Sequence, residues 1–300
     1  MTIEINQQEV LTPPVPAATV VLLRDGPEGL EVLLVKRHSK SHVLGGAYVF
    51  PGGKLDEQDC QTQPTDLDQS AQALQQALGE DDCDARTASG LHVAALRETF
   101  EECDLLLHEA HRAPSEAPLE QARQSLRRDL TQGVPFLHAM GDLGLRPLQT
   151  RQLHPWSRWT TPRRPSMMDR RFDTRFFVAI APPGQQARHD AHEITEALWL
   201  RPHQAIENYW NGQMTLAPVQ LLTLMQVARL PTAEQVMQAA RLRPPMQVLP
   251  EPHDANGQRV LCYPGDPRHS VKQAAWEGPT RMTFRNGRFE PEGGLAALLS

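Results

Sequence analysis

The sequence predicts an α/β fold, on three observations. Two β-branched and apolar runs, residues 17–24 and 30–36, flank the turn-forming Asp25-Gly26-Pro27-Glu28-Gly29 and read as a hairpin. Across residues 91–107, Val93, Leu96, Phe100, Cys103 and Leu107 recur at intervals of three and four, which is one apolar stripe of a helix. Proline makes up 26 of 300 residues, well above the average of about 5%. A residue that fixes φ and removes a backbone donor argues against long helical bundles.

The remaining elements follow in order. A Pro-containing leader ends at Pro16, and the hairpin comes next. Tyr48-Val49-Phe50 reads as a strand that Pro51-Gly52-Gly53 ends in a loop. Residues 60–90 are polar and acidic, with a short helix predicted over 67–78 and Gly79 as its C-terminal cap. The helix over 91–107 is the clearest in the chain, and helices of uncertain boundary follow within 112–150. Strands are expected at 171–180 and 196–200, and a helix at 202–209. Two further helices are expected at 216–230 and 232–242, the second opened by a Thr232/Gln235 capping box. In the Pro-rich tail, residues 259–263 and a hairpin turning on Asn286-Gly287 suggest strands. There is no internal repeat.

Composition narrows the function. A formal charge of −6, from 30 Lys+Arg against 36 Asp+Glu, disfavours nucleic acid as a partner, because counterion release needs a basic surface. Cys60, Cys83, Cys103 and Cys262 form no Cys-x-x-Cys pair, so reduced thiols in the cytoplasm are expected rather than a zinc ribbon or a disulfide framework. No apolar run approaches the ~20 residues that span a bilayer, and no signal peptide or membrane partner is expected.

The chemistry concentrates on the 91–107 helix. Glu98, Glu101 and Glu102 stand at i, i+3 and i+4, share one face opposite the apolar stripe, and repel one another. That face is either solvated or binds a hard divalent cation. Arg158, Arg163, Arg164, Arg170, Arg171 and Arg175 form a local basic excess whose guanidinium groups suit phosphate, although Asp173 could pair one of them structurally. Trp156, Trp159 and Phe172 could stack on a base or pack in the core. His38 and His42 read as solvated loop histidines, with contact to phosphate as the alternative. Glu193 and Glu196 are either solvated acids or a second candidate for a general base, and Glu80, Asp81, Asp82 and Asp84 read as a solvated acidic face.

The Gly-Gly loop followed by Arg97-Glu98-x-x-Glu101-Glu102 resembles the Nudix hydrolase family. That family's box reads Gly-x5-Glu-x7-Arg-Glu-U-x-Glu-Glu-x-Gly-U, with U a bulky apolar residue. Gly53 fits its first Gly, Asp59 stands at its first Glu, Arg97, Glu98, Glu101 and Glu102 fit its core, and Leu105 fits the last U. Thr99 stands where an aliphatic residue is usual, and Asp104 replaces the final Gly. Residues 60–96 place 37 residues where the box has seven. This long insertion, Val49-Phe50-Pro51-Gly52-Gly53, Trp159-Thr160-Thr161-Pro162 and the run from Arg171 to Phe177 are together similar to one branch of the family. That branch is the peroxisomal-type coenzyme A diphosphatases and their bacterial relatives. A coenzyme A-associated signature of the family also matches Leu33, Leu34, Arg37, Gly46, Phe50, Pro51, Gly52 and Gly53 without an insertion or deletion, with other residues at Val35, His38 and His42.

The resemblance implies a mixed β-sheet sandwiched between helices. It places a Nudix hydrolase domain at residues 12–210 with an insertion at 60–90, and a helical, Pro-rich extension at 211–300 packed on that domain. It implies hydrolysis of a diphosphate dependent on Mg²⁺ or Mn²⁺, with coenzyme A or an acyl-CoA as the expected small-molecule substrate, giving 3′,5′-ADP and 4′-phosphopantetheine. ADP-ribose, NADH or a dinucleotide is the alternative, as is a non-catalytic ligand-binding regulator; assembly as a homodimer is left open. In this reading Glu98, Glu101 and Glu102 handle metal and water, with Glu98 as general base, Glu102 also catalytic and Arg97 orienting a carboxylate. Arg37, Gly52, Gly53, Arg158, Arg171 and Arg175 bind substrate. The insertion is expected to be a separate surface excursion, because lengthening a loop with close anchors costs little entropy.

Overall fold

The structure, a computed structural model, describes residues 6, 8–41, 44–108, 116–167, 169–188, 194–255 and 257–300. His42 and Glu193 lie outside the described residues. The first strands are β1 (Val15–Gly26), β2 (Gly29–Arg37), β3 (Tyr48–Val49) and β4 (Gly52–Lys54). They are followed by α1 (Ala71–Leu78), α2 (Ala85–Cys103), α3 (Glu116–Thr131), α4 (Phe136–Asp142), β5 (His154–Thr160), β6 (Phe172–Ile180) and β7 (Ile194–Leu200). The C-terminal part contains α5 (Pro202–Trp210), α6 (Pro218–Val227), α7 (Ala233–Leu242), β8 (Met246–Val248), β9 (Glu251–Ala255), β10 (Gln258–Cys262), β11 (Arg281–Arg285), β12 (Arg288–Pro291) and α8 (Ala296–Leu299).

An eight-stranded mixed sheet runs β3-β2-β1-β6-β5-β8, with β4 paired to β1 and β7 to β2. The long apolar runs of β1 and β2 are explained by burial on both faces. Val20, Leu22, Leu33, Val35 and Phe177 face a core formed with α1, α2 and α4. Their alternate neighbours Val21, Leu23, Val32, Leu34 and Phe176 face a second core formed with α5, α6 and α7. The expected sandwich of a mixed sheet between helices is therefore what forms.

The catalytic-pattern helix α2 is longer at its start than the stripe predicts. Asp84 accepts a hydrogen bond from the Thr87 N–H at 2.6 Å and caps it, which draws residues 85–90 into the helix. It stops at Cys103 because Asp104 takes the left-handed conformation, φ 57°. That conformation favours glycine, the residue the family box has there. Asp104 is held in it by Arg123 and Arg127, each 2.6 Å from its carboxylate.

The insertion is not a separate excursion. Leu67, Leu74, Leu78 and Cys83 are buried in the α2 core, Asp66 pairs with Arg146 at 2.7 Å, and Leu67 bridges Leu148. The predicted caps do hold α1, with Ser70 opening it and Gly79 closing it at φ 63°. Glu80, read as part of a solvated face, is buried against Arg175.

The extension carries the strands expected at 259–263 and around Asn286-Gly287, within more sheet than its helical, Pro-rich reading implied. Its β8 joins the main sheet parallel to β5, and β9 to β12 build a four-stranded antiparallel sheet. The Asn286-Gly287 turn closes the β11–β12 hairpin with both residues at positive φ. Sequence reading missed β5. Pro155 and a register shift between Pro155 and Ser157 break its alternation.

Candidate active site

The site forms where β4 crosses the side of α2. Pairing of Thr19 with Gly52 and Ala18 with Gly53 lays the Gly-Gly segment along β1 as a strand, where the sequence suggested a loop. A Cβ at Gly52 would come within 2.6 Å of Thr19 Cα and closer still to the Ala18 carbonyl oxygen, so only glycine packs there. A Cβ at Gly53 would run into the Glu98 carboxylate. The Gly52 N–H donates to Glu102 Oε2 at 2.9 Å. Both glycines thus seat helix carboxylates.

Arg97 organises the rest. Its Nε and Nη2 donate to Asp59 Oδ1 and Oδ2, each at 2.9 Å, a bidentate pair that closes the 37-residue interruption of the box. Its Nη1 donates to Glu98 Oε1 at 2.7 Å and Glu101 Oε2 at 2.9 Å, and Nη2 also reaches the Lys54 carbonyl at 3.0 Å. Asp59 is fixed by the Asp56 N–H at 2.9 Å. Asp59 therefore serves Arg97, and the 3-10 turn at Glu57–Cys60 positions it.

Burial pushes the Glu98 carboxyl up to about 7, against the opposing pull of Arg97. Burial also raises Glu101, with Arg97 again opposing. Burial disfavours the Arg97 cation, but Asp59, Glu98 and Glu101 outweigh it and the net shift is upward. Arg37, at the end of β2, lies 4.0 Å from Glu102 Oε1.

Arg37, Gly52, Gly53, Arg97, Glu98, Glu101 and Glu102 all line one cleft of about 960 Å³. Arg158, Arg171 and Arg175, expected to bind substrate, are not among its lining residues. Arg158 and Arg175 are cross-strand neighbours on β5 and β6, and they bind Glu80 at 3.1 and 2.5 Å and Asp173 each at 2.8 Å. Arg158 also pairs with Asp82. Arg171 donates to the Thr161 and Thr12 carbonyls. These guanidinium groups tie the insertion and leader to the sheet. Of the arginines between 158 and 175, Arg170 is the one that lines the cleft, and no ion pair reaches it among the described residues.

Trp159 and Phe172 line the cleft, whereas Trp156 is in the core beneath Arg243. Glu196 is outside the lining and accepts from the Tyr48 hydroxyl at 2.6 Å. His38 is likewise outside it. Lys54, Arg127, Gln220 and Tyr263 line the cleft without having been singled out from sequence. Of these, Gln220 and Tyr263 fell within the helix expected at 216–230 and the strand expected at 259–263, with no sign of a role at the site.

The family pattern described as the NUDT19 Nudix domain matches residues 15–230. The chain belongs to this Nudix family. It is 29% identical over 240 residues to acyl-coenzyme A diphosphatase NUDT19 of Gallus gallus, covering 67% of this chain and 62% of that protein. With the Homo sapiens protein of the same name it shares 27% over 234 residues, covering 67% and 61%. The match thus spans about three fifths of the length of these relatives. Among solved structures it resembles a NUDIX hydrolase from Alicyclobacillus acidocaldarius, with TM-score 0.57 and 27% identity over 76% of this chain and 97% of that one.

Nudix hydrolases generally work with divalent metals, and the chemistry of the Nudix donor set here fits one. Three carboxylates line one cleft, and burial raises Glu98 and Glu101 despite the nearby Arg97, so a hard cation beside them would favour their charged form. Among the described residues no three acidic, histidine or cysteine side chains form a ready cage. No described helix is long and apolar enough to cross a membrane.

Proposed function

We propose that the chain hydrolyses the diphosphate of coenzyme A or an acyl-CoA, giving 3′,5′-ADP and 4′-phosphopantetheine or its acyl form, in the cytoplasm. The observation that carries this reading is the Arg97-centred carboxylate cluster seated on Gly52-Gly53 inside the cleft. The relatives' printed names supply the substrate class.

Glu98, Glu101 and Glu102 would hold Mg²⁺ or Mn²⁺, which when bound neutralises diphosphate oxygens. Glu98 is the general base. Its carboxyl titrates near neutrality, and its Oε2 accepts no hydrogen bond among the described residues, so it is placed to take a proton from water. Arg97 holds Glu98 and Glu101 in register, and the Gly52 N–H orients Glu102. Arg37 and Arg170 supply positive charge to the anionic substrate.

Product chromatography over coenzyme A, dephospho-coenzyme A, ADP-ribose and NADH, with and without Mn²⁺, tests the proposal. Coenzyme A is expected to have the highest kcat/KM. Arg170→Ala is expected to lower it about tenfold toward the dephospho value, the scale of one charge-assisted contact. A preference for ADP-ribose or NADH refutes the substrate, and metal-independent turnover refutes the chemistry.

A further inference from the structure

Part of the cleft wall comes from the C-terminal third of the chain and carries two unsatisfied polar groups. Gln220, in the first turn of α6, and Tyr263, just past β10, both line the cleft. They are 6% and 0% exposed, and among the described residues neither Gln220 Oε1 nor the Tyr263 hydroxyl has a hydrogen-bond partner. Buried polar atoms are nearly always paired, because leaving one unpaired destabilises the fold. Two such atoms in one wall, from segments far apart in sequence, point to a ligand that completes them.

The fold places both groups beside the catalytic face. The Tyr48 N–H donates to the Thr215 carbonyl at 2.9 Å and Tyr48 bridges Leu216, so the approach to α6 runs along the strand that leads into Gly52-Gly53. Tyr263 packs edge-on against Trp159, itself a cleft residue, with ring centroids 6.0 Å apart. At the start of α6, Ala217 provides no side-chain cap and Pro218 has no N–H, which leaves the Val219 and Gln220 N–H groups outside the helical ladder. Pro218, Val219, Pro250 and Leu261 make the surrounding wall apolar, and none of the lining residues beyond position 210 carries a charge.

We propose that this wall is the subsite for the uncharged, amide-bearing arm of the substrate. On the coenzyme A reading, on which this inference rests, that arm is pantetheine. Gln220 Oε1 accepts an amide N–H, the Tyr263 hydroxyl pairs with an amide oxygen, and the apolar wall takes the hydrocarbon between them. The adenosine 3′-phosphate belongs elsewhere, since among the described residues no cation lines this part of the cleft.

Ligand-induced stabilisation of the full chain by 4′-phosphopantetheine and by 3′,5′-ADP tests this, with wild type, Tyr263→Phe and Gln220→Met compared. Each variant is expected to weaken 4′-phosphopantetheine about five- to tenfold, the scale of one neutral hydrogen bond, and to leave 3′,5′-ADP unchanged. Unliganded Tyr263→Phe is expected to melt no lower than wild type, because its hydroxyl has no partner to lose among the described residues. Unchanged 4′-phosphopantetheine binding, equal weakening of both ligands, or a lower melting temperature for Tyr263→Phe overturns the subsite. If wild type cleaves coenzyme A in any of those cases, the functional proposal stands and only the subsite falls. A wild type that does not cleave coenzyme A removes both.

Discussion

Replacing Gly53 by alanine tests whether the strand backbone sets the position of the helix carboxylate. Gly53 lies outside the left-handed region, so alanine can adopt its backbone and only space is at issue. The added Cβ would sit 2.6 Å from Glu98 Oε2 and closer still to Oε1 and Cδ. Ordinary contact distances require the carboxylate to retreat by about 1 Å. Glu98 would then lose its 2.7 Å bond from Arg97, while Arg97 keeps Asp59 and Glu101. The loss in stability should be about 1 kcal/mol, one net hydrogen bond. A ~1 Å misplacement of a reacting group costs about 100-fold in rate, so kcat at saturating Mn²⁺ should fall by that factor. Chromatographic release of 3′,5′-ADP gives the rate, and urea unfolding gives the stability. A folded Gly53→Ala protein whose kcat stays within a few-fold of wild type refutes the idea that Gly53 seats Glu98.

Glu102→Gln should keep the fold, since the amide oxygen can still accept from the Gly52 N–H. It should nonetheless lose at least about 100-fold in turnover, the scale of a misplaced catalytic group; near-normal activity at saturating Mg²⁺ would remove Glu102 from the ligand set. Glu80→Ala should cost about 3 kcal/mol in denaturant unfolding, the low end for breaking a buried ion pair, because Asp173 still holds Arg175. A change under about 0.5 kcal/mol would show the insertion to be the loose excursion first expected. His92 is buried with its Nδ1 2.7 Å from the Ala88 carbonyl, and burial pushes its pKa down from 6.5 to about 4. The unfolded chain therefore binds the proton first as pH falls. His92 costs nothing above pH 6.5, and stability drops by up to about 3 kcal/mol as pH falls to about 4. The difference in unfolding free energy between wild type and His92→Gln at pH 7.5 and pH 4.5 checks this, and a pH-independent difference contradicts it.

The sequence by itself determined the elements whose signal is local. The 3-4 spacing of Val93, Leu96, Phe100 and Cys103 made α2 visible, and the same spacing put Glu98, Glu101 and Glu102 on one side of it. Val49 to Gly53 marked the segment that meets it, although its Gly52-Gly53 part read as a loop and pairs as a strand. Apolar periodicity and glycine spacing are properties of neighbouring residues, and they survive without knowledge of the rest of the chain. Only the tertiary structure decided the partners. Arg158 and Arg175 read as phosphate binders because arginine chemistry is the same toward a phosphate and toward Glu80, Asp82 or Asp173. Strand pairing of β5 with β6 turned them toward the insertion. Asp59 looked like a weakened box residue 38 positions from Arg97 and proved to be its bidentate anchor. Gln220 and Tyr263 had no local pattern, because what distinguishes them is burial in a shared wall without a partner. Periodicity records which face of an element is apolar, whereas the charge a side chain meets across the fold is fixed only when the layers pack and water is excluded between them.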